Sequence, residues 1–223
     1  MRSPVSLIDM FGLASGIFWI ITYACVIRQG LLDRSYAMPF LALAMNITWE
    51  FLFTFVYPSV GGMMQEVINA IWFAADIAIL AVFVKYWRSD YPKSLPQSYF
   101  WPMFVFTFVM VTPMMVATVS VFGRENGSVY TAYVDNLIMS ALFLSMLMRR
   151  GDRRGQSMWI AWGKLLGTVT ASISQYLYAP GNVVWLVIYV EILVLDALYV
   201  FLLSKAPRYQ RDKVSADPAT ASV

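Results

Sequence analysis

Residues 183–203 read Val-Val-Trp-Leu-Val-Ile-Tyr-Val-Glu-Ile-Leu-Val-Leu-Asp-Ala-Leu-Tyr-Val-Phe-Leu-Leu, and only Glu191 and Asp196 carry charge. As a helix rising 1.5 Å per residue, such a run covers about 30 Å, the hydrocarbon thickness of a bilayer. Six more runs precede it, at residues 8–27, 38–57, 67–87, 99–122, 129–148 and 157–177. Turn chemistry lies between them: Gly30, then Pro58 with Gly61 and Gly62, Pro92 with Pro96, Gly123 with Gly127, Gly151 with Gly155, and Pro180 with Gly181. The pattern predicts an all-α integral membrane protein, a seven-transmembrane-helix bundle over residues 1–207, with a polar, disordered cytoplasmic tail over 208–223. Only Arg2 precedes the first run as a basic residue and no small-residue cleavage site follows it, so it reads as a retained helix, not a signal peptide.

Composition agrees. The chain is 60% hydrophobic and 13% charged, with a mean hydropathy of +0.63, too apolar for a water-soluble domain. A lone Cys25 excludes a disulfide scaffold, and a net charge of +3 is too small for a nucleic-acid-binding face. The chain has no histidine, which excludes His-ligated metals and Ser-His or Cys-His nucleophiles.

The loops after the first, third and fifth runs and the carboxyl tail hold Arg28, Arg34, Lys85, Arg88, Lys93, Arg149, Arg150, Arg153, Arg154, Lys205, Arg208, Arg211 and Lys213. The opposite side holds only Arg2 and Arg124, and Lys164 falls inside the sixth run. Basic loops face the cytoplasm. The expected orientation is therefore amino terminus outside and carboxyl terminus inside, and the expected location is a bacterial cell membrane.

Six charged side chains fall within the runs: Glu50, Asp76, Asp135, Lys164, Glu191 and Asp196. Charge in hydrocarbon is costly and marks function by default. Counting helical rise puts Glu50 about 10 Å and Glu191 about 12 Å below the outer surface, with Lys164 and Asp196 about 10 Å above the inner one. Lys164 and Asp196 thus share a depth, as a structural ion pair requires. Asp135 and Glu66 are shallow and read as solvated carboxylates. Glu50 has no cation at its depth, which suits a buried proton donor. Asn46, Glu50 and Thr54 recur at i, i+4, i+8, beside Phe53 and Tyr57, so a polar and aromatic stripe faces the interior. The first run adds Ser15, Trp19, Thr22 and Tyr23. The pattern Asn-x-x-Trp occurs at Asn46/Trp49, Asn69/Trp72 and Asn182/Trp185 and reads as coincidence, not as a repeat.

No phosphate-binding Gly loop, Cys pair, nucleophile elbow or Asp-rich diphosphate motif is present, and the seventh run has no Lys for retinal. The segment Met38-Pro39-Phe40, followed by Asn46-Ile47-Thr48-Trp49-Glu50-Phe51 and ending at Tyr57-Pro58, resembles the integral-membrane terpene cyclases of fungal meroterpenoid and indole-diterpene biosynthesis and their bacterial homologues. Glu191, Asp196 and Tyr199 in the seventh run agree with it. The resemblance implies a catalytic pair, Glu50 from the Trp-Glu motif and Asp196 from its Asp-x-x-Tyr context, with Glu191 as the alternative second acid. The pocket and its support are then Asn46, Trp49, Phe53, Tyr57, Trp72, Asp76, Tyr189 and Tyr199. The implied enzyme, an isomerase or lyase of secondary metabolism, protonates an epoxide or terminal alkene of a prenylated lipophilic substrate without metal or other cofactor. Carbocation cyclisation over aromatic faces and a final deprotonation follow. Its partners are that substrate and the bilayer, not nucleic acid. The competing class is a proton- or cation-coupled transporter using the same carboxylates.

Overall fold

A computed structural model describes residues 6–58 and 62–210, and every regular element among them is helical. The helices are α1 (Leu7–Asp33), α2 (Phe40–Phe51), α3 (Gly62–Tyr86), α4 (Phe100–Arg150), α5 (Met158–Tyr178) and α6 (Val183–Lys205). The last turn of α2 widens into a π-helix over Leu52–Val56. Helix starts follow local side-chain chemistry: Ser6 and Asp9 form a reciprocal cap on α1, Ser157 accepts from the Ile160 amide, and Asn182 accepts from the Trp185 amide. The third Asn-x-x-Trp pair is therefore a helix cap.

Among the described residues six α-helices stand where seven were expected, because the fourth and fifth runs form the single 51-residue α4. A straight helix of that length would reach about 76 Å. Instead Gly123 leaves helical geometry at φ 78° and ψ 169°, a conformation open to glycine. The chain turns back there. The rings of Phe122 and Tyr130 are 4.9 Å apart, whereas eight residues of straight helix would separate them by about 12 Å. A Cβ on Gly127 would lie 2.7 Å from the Val119 Cα, so this glycine serves the close crossing of the two limbs. Both ends of α4 lie together: Phe100 stacks on Trp87 at 3.8 Å, and Arg150 bonds Asp90. Residues 100–122 thus run out and residues 124–150 return.

Two further expectations change. Gly30 is no break, since α1 continues to Asp33 and ends at Arg34 in the left-handed conformation; a Cβ on Gly30 would meet Val82 of α3 at 2.7 Å. Of the expected tail, residues 211–223 lie outside the described residues, as do Arg2 and Gly61.

The helices close a ring: α1 packs on α3 and α5, α2 on α3 and α4, and α6 on α4 and α5. Gly163 and Gly167, one turn apart on α5, let α1 approach closely enough that a Cβ on Gly167 would meet the Trp19 ring at 2.9 Å. Ser15 of α1 donates to the Gly167 carbonyl across this seam at 2.8 Å. Small residues at such spacing are a common device for packing helices in lipid.

Polarity is inverted relative to a soluble protein. Ile17, Ile21, Phe106, Val109, Val187 and Val194 are exposed, while Glu50, Asp76, Asp135, Lys164 and Asp196 are buried. Four stretches, Leu7–Asp33, Gly62–Ser89, Gln97–Arg150 and Val183–Lys205, are long and apolar enough to cross a membrane. The chain is an integral membrane protein.

At one end the basic loops form a clasp. Arg150 donates to Asp90 at 2.7 Å, to Ser35 at 3.1 Å and to the Tyr36 carbonyl at 3.0 Å. Arg154 also binds Asp90. Burial alone would raise the Asp90 carboxyl, but the two guanidiniums outweigh it and hold the group below the usual carboxylate range.

Candidate active site

Inside the ring lies a cavity of about 470 Å³, walled by α1, α2, α3, the returning limb of α4, and α5. Its mouth is ringed by Ile8, Asp9, Met64, Gln65, Glu125 and Tyr178, near helix ends opposite the arginine clasp. Deeper, the wall is aromatic: Trp19, Tyr23, Trp49, Phe53, Trp72 and Tyr133 all line it. Trp49 and Phe53 lie 4.9 Å apart on successive turns of α2, and the Trp49 indole donates to the Ser128 carbonyl at 3.0 Å, fixing α2 against α4.

Glu50 sits in this wall at 1% exposure. Tyr23 of α1 donates to its Oε1 at 3.1 Å, and Asn46, one turn earlier on α2, donates to the Tyr23 hydroxyl. Its Oε2 has no hydrogen-bond partner among the described residues. Asp76, at 0% exposure, lies beside Asn46 and Glu50 with neither oxygen in a well-formed hydrogen bond. Asp135 reaches the same cavity from α4 and interacts electrostatically with Asp76 and Glu50. It is 2% exposed, which overturns its reading as a solvated carboxylate. The rotation of its helix turns it inward, whereas depth alone put it near the headgroups. Glu66 is partly buried. No Lys or Arg forms an ion pair with any of Glu50, Asp76 or Asp135 among the described residues.

Asp196 is held elsewhere. The Lys164 ammonium donates to its two oxygens at 2.7 and 3.0 Å, with both side chains 1% exposed. The matched depth of the two residues therefore reflects an ion pair. The same ammonium donates to Asn136 Oδ1 at 3.0 Å and to Ser140. Asn136 lines the cavity and donates onward to Thr168 at 2.8 Å. Asp196 thus touches the cavity wall only through Lys164 and Asn136, and itself borders an apolar groove between α5 and α6.

The other sequence candidates divide. Asn46, Trp49, Phe53 and Trp72 line the cavity with Glu50. Tyr189 stands behind that wall, its ring 4.7 Å from Tyr133. Tyr199 donates to Gln156 at 3.1 Å and packs on Phe143, away from the cavity. Tyr57 lies next to Phe53 and under the Arg124 guanidinium, outside the lining. Glu191 is exposed on α6 and takes no part in the cavity. Asn69 was missed as a site residue. A signal existed: Gln65, Asn69, Trp72 and Asp76 follow i, i+4, i+7, i+11, one polar stripe along α3.

Known proteins are similar to this chain. The chain is 29% identical over 168 residues to terpene cyclase macJ of Penicillium terrestre, covering 74% of this chain and 64% of macJ. It is 29% identical over 163 residues to Pyr4-family terpene cyclase mfmH of Annulohypoxylon moriforme, covering 72% and 66%. Terpene cyclase pyr4 of Aspergillus fumigatus is 26% identical over 176 residues, covering 77% and 71%. The match spans just under two thirds of the length of the first two relatives. These relatives are fungal and lend no support to a bacterial membrane. No solved structure matches the chain. A sequence model matches residues 3–209, a stretch that includes every helix contributing to the cavity, and by that match the chain belongs to the Pyr4-like transmembrane terpene cyclases.

Proposed function

We propose that this chain is a terpene cyclase of the protonation-initiated, class II type, with Glu50 as the proton donor to a prenylated lipophilic substrate. The observation that carries this reading is a carboxyl buried at 1% exposure in an aromatic cavity, with two further carboxyls beside it and no ion-paired cation. A buried carboxyl with two others nearby, and no ion pair to any of them among the described residues, suits a group that holds a proton for delivery. The Glu50 proton adds to an epoxide oxygen or a terminal alkene carbon. The resulting cation is captured by the next double bond, and the faces of Trp19, Trp49 and Phe53 stabilise the charge as it migrates. A carboxylate of the same cluster takes the final proton, leaving a cyclised isomer, and no step calls for a metal.

In this reading Asp76 is the direct partner of Glu50. Asp196 is a positioning residue that fixes the cavity wall through Lys164 and Asn136, and Glu191 has no role. The two limbs of α4 each cross the bilayer, giving seven crossings with the amino terminus outside and the arginine clasp in the cytoplasm, where basic loops are retained.

The test is a product assay. Membranes holding the chain, incubated with a farnesylated or geranylgeranylated aromatic acceptor and with its terminal epoxide, are expected to yield a cyclised isomer that Glu50→Gln membranes do not form. Unchanged prenyl chains in every incubation, with proton or cation flux in vesicles instead, would return the chain to the transporter class.

A further inference from the structure

The cavity contains two kinds of unpartnered polar atom, and they lie at different depths. One kind is the carboxyl oxygens of Glu50 and Asp135 in the lining, with Asp76, outside the lining, beside Glu50. The others are donors: Asn69 Nδ2, Trp72 Nε1 and Gln175 Nε2, each buried and without a hydrogen-bond partner among the described residues, on side chains that line the cavity. Asn69 is 1% exposed. Its Oδ1 already accepts from Gln65 Nε2 at 2.7 Å, so the amide presents its nitrogen as the open group. Trp72 offers only an N–H. Asn69 and Trp72 lie one turn apart on α3, on the mouth side of Asp76. Asn69 precedes Asp76 by seven residues, about 10 Å along the helix axis.

A purely hydrocarbon chain leaves all three donors unsatisfied, and buried polar groups are almost always paired. We propose that Asn69, Trp72 and Gln175 form a subsite for an oxygen acceptor, carried on the end of the substrate opposite to the one that Glu50 protonates. The acceptor is then held about 6 to 10 Å toward the mouth from Asp76, the axial offsets of Trp72 and Asn69. A site built to bond such a group rejects the analogue lacking it, because its donors are then left unpaired. The inference rests on the cyclase reading for the identity of the reacting end. The pairing of donors with an acceptor is independent of it.

Two measurements on the full chain in detergent or membranes separate these claims. The first uses epoxidised farnesyl chains carrying either an aryl ketone or the corresponding oxygen-free arene, and compares kcat/KM for the two. The wild type is expected to favour the ketone by at least about tenfold, mainly through KM. Asn69→Leu and Trp72→Phe should bring the ratio close to one while retaining the cooperative thermal unfolding of the wild type. The second measures binding of the saturated-chain ketone, which cannot cyclise, by the shift in thermal unfolding. That shift should shrink in both variants and be small for the saturated-chain arene in the wild type. Equal turnover of ketone and arene by the wild type, or parallel losses on both substrates in the variants, would overturn the subsite while leaving the cyclase reading in place. Ketone-selective binding that depends on Asn69 and Trp72, without cyclisation of any epoxide, would uphold the subsite and remove the cyclase reading. Absence of both ketone-selective binding and cyclisation would remove both.

Discussion

At the basic end of the bundle Asp90 is bound by Arg150 at 2.7 Å and by Arg154, whereas Glu50 and Asp135 in the cavity wall, and Asp76 beside Glu50, have no ion-paired cation among the described residues. Both regions bury carboxyl groups, and the difference in partners separates their tasks. A carboxylate matched by guanidiniums is fixed in its charged form and joins loops: Arg150 alone links Asp90 with Ser35 and Tyr36. A group of carboxyls without an ion pair, in which only Glu50 accepts a hydrogen bond among the described residues, from Tyr23, is not fixed in that way and is the arrangement the proposed proton donor requires. Lys164 and Asp196 belong with the first kind, although they lie within the helices that wall the second.

The sharpest way to break this contrast is Glu50→Gln. The amide still accepts from Tyr23, so folding is retained, while turnover should fall by about 10² to 10⁴, the usual contribution of a general acid. Product formation per unit of folded protein is the measurement, and near-normal turnover would remove Glu50 from its role.

Asp90→Ala should show the opposite division. It leaves Arg150, whose side chain is 1% exposed, without its carboxylate, and removing one partner of a buried pair costs about 3–5 kcal/mol. Thermal unfolding should shift strongly down while turnover per folded molecule stays close to normal. The pH dependence follows from the lowered Asp90 carboxyl. A depressed folded-state value means the contribution is fully present above the unfolded value near 3.9 and is lost as pH falls through the folded one. Acid unfolding of the wild type should therefore steepen below about pH 4, and Asp90→Asn should flatten that part of the profile.

Asp196→Asn strands the Lys164 ammonium and should lower folded yield by a comparable free energy, about 3–5 kcal/mol. Adding Lys164→Met should restore the yield and return turnover to within about tenfold of wild type, a difference of about 1.4 kcal/mol. A double variant that folds normally and makes no product would instead make Asp196 the second acid. The smallest effect belongs to Tyr23→Phe, which removes the hydrogen bond to Glu50 Oε1. A loss of about 0.5–1.5 kcal/mol in transition-state stabilisation is expected, read as a drop in kcat of up to about tenfold.

What the amino-acid sequence determined by itself is the apolar runs, the segregation of basic residues to one set of loops, and the isolation of Glu50 from any cation on its own helix. These are properties of one helix at a time, and a fixed rise per residue makes depth readable from position. The i, i+4 repeat of Asn46 and Glu50 likewise set which face of α2 turned inward, and both residues line the cavity. Rotation and neighbours are different. Asp135 was misread as solvated because its depth near an outer end said nothing of the helix rotation that turns its side chain into the cavity. Glu191 and Glu50 have similar depths, yet one is exposed and the other 1% exposed. Asp196 and Lys164 matched in depth, but only the packing of α5 against α6 decided that the ammonium binds that carboxylate and Asn136 together. The cavity exists because six helical segments close into a ring, with Gly163 and Gly167 admitting α1 against α5. Sequence position supplies one coordinate along the membrane normal, and the other two come from which side chains pack.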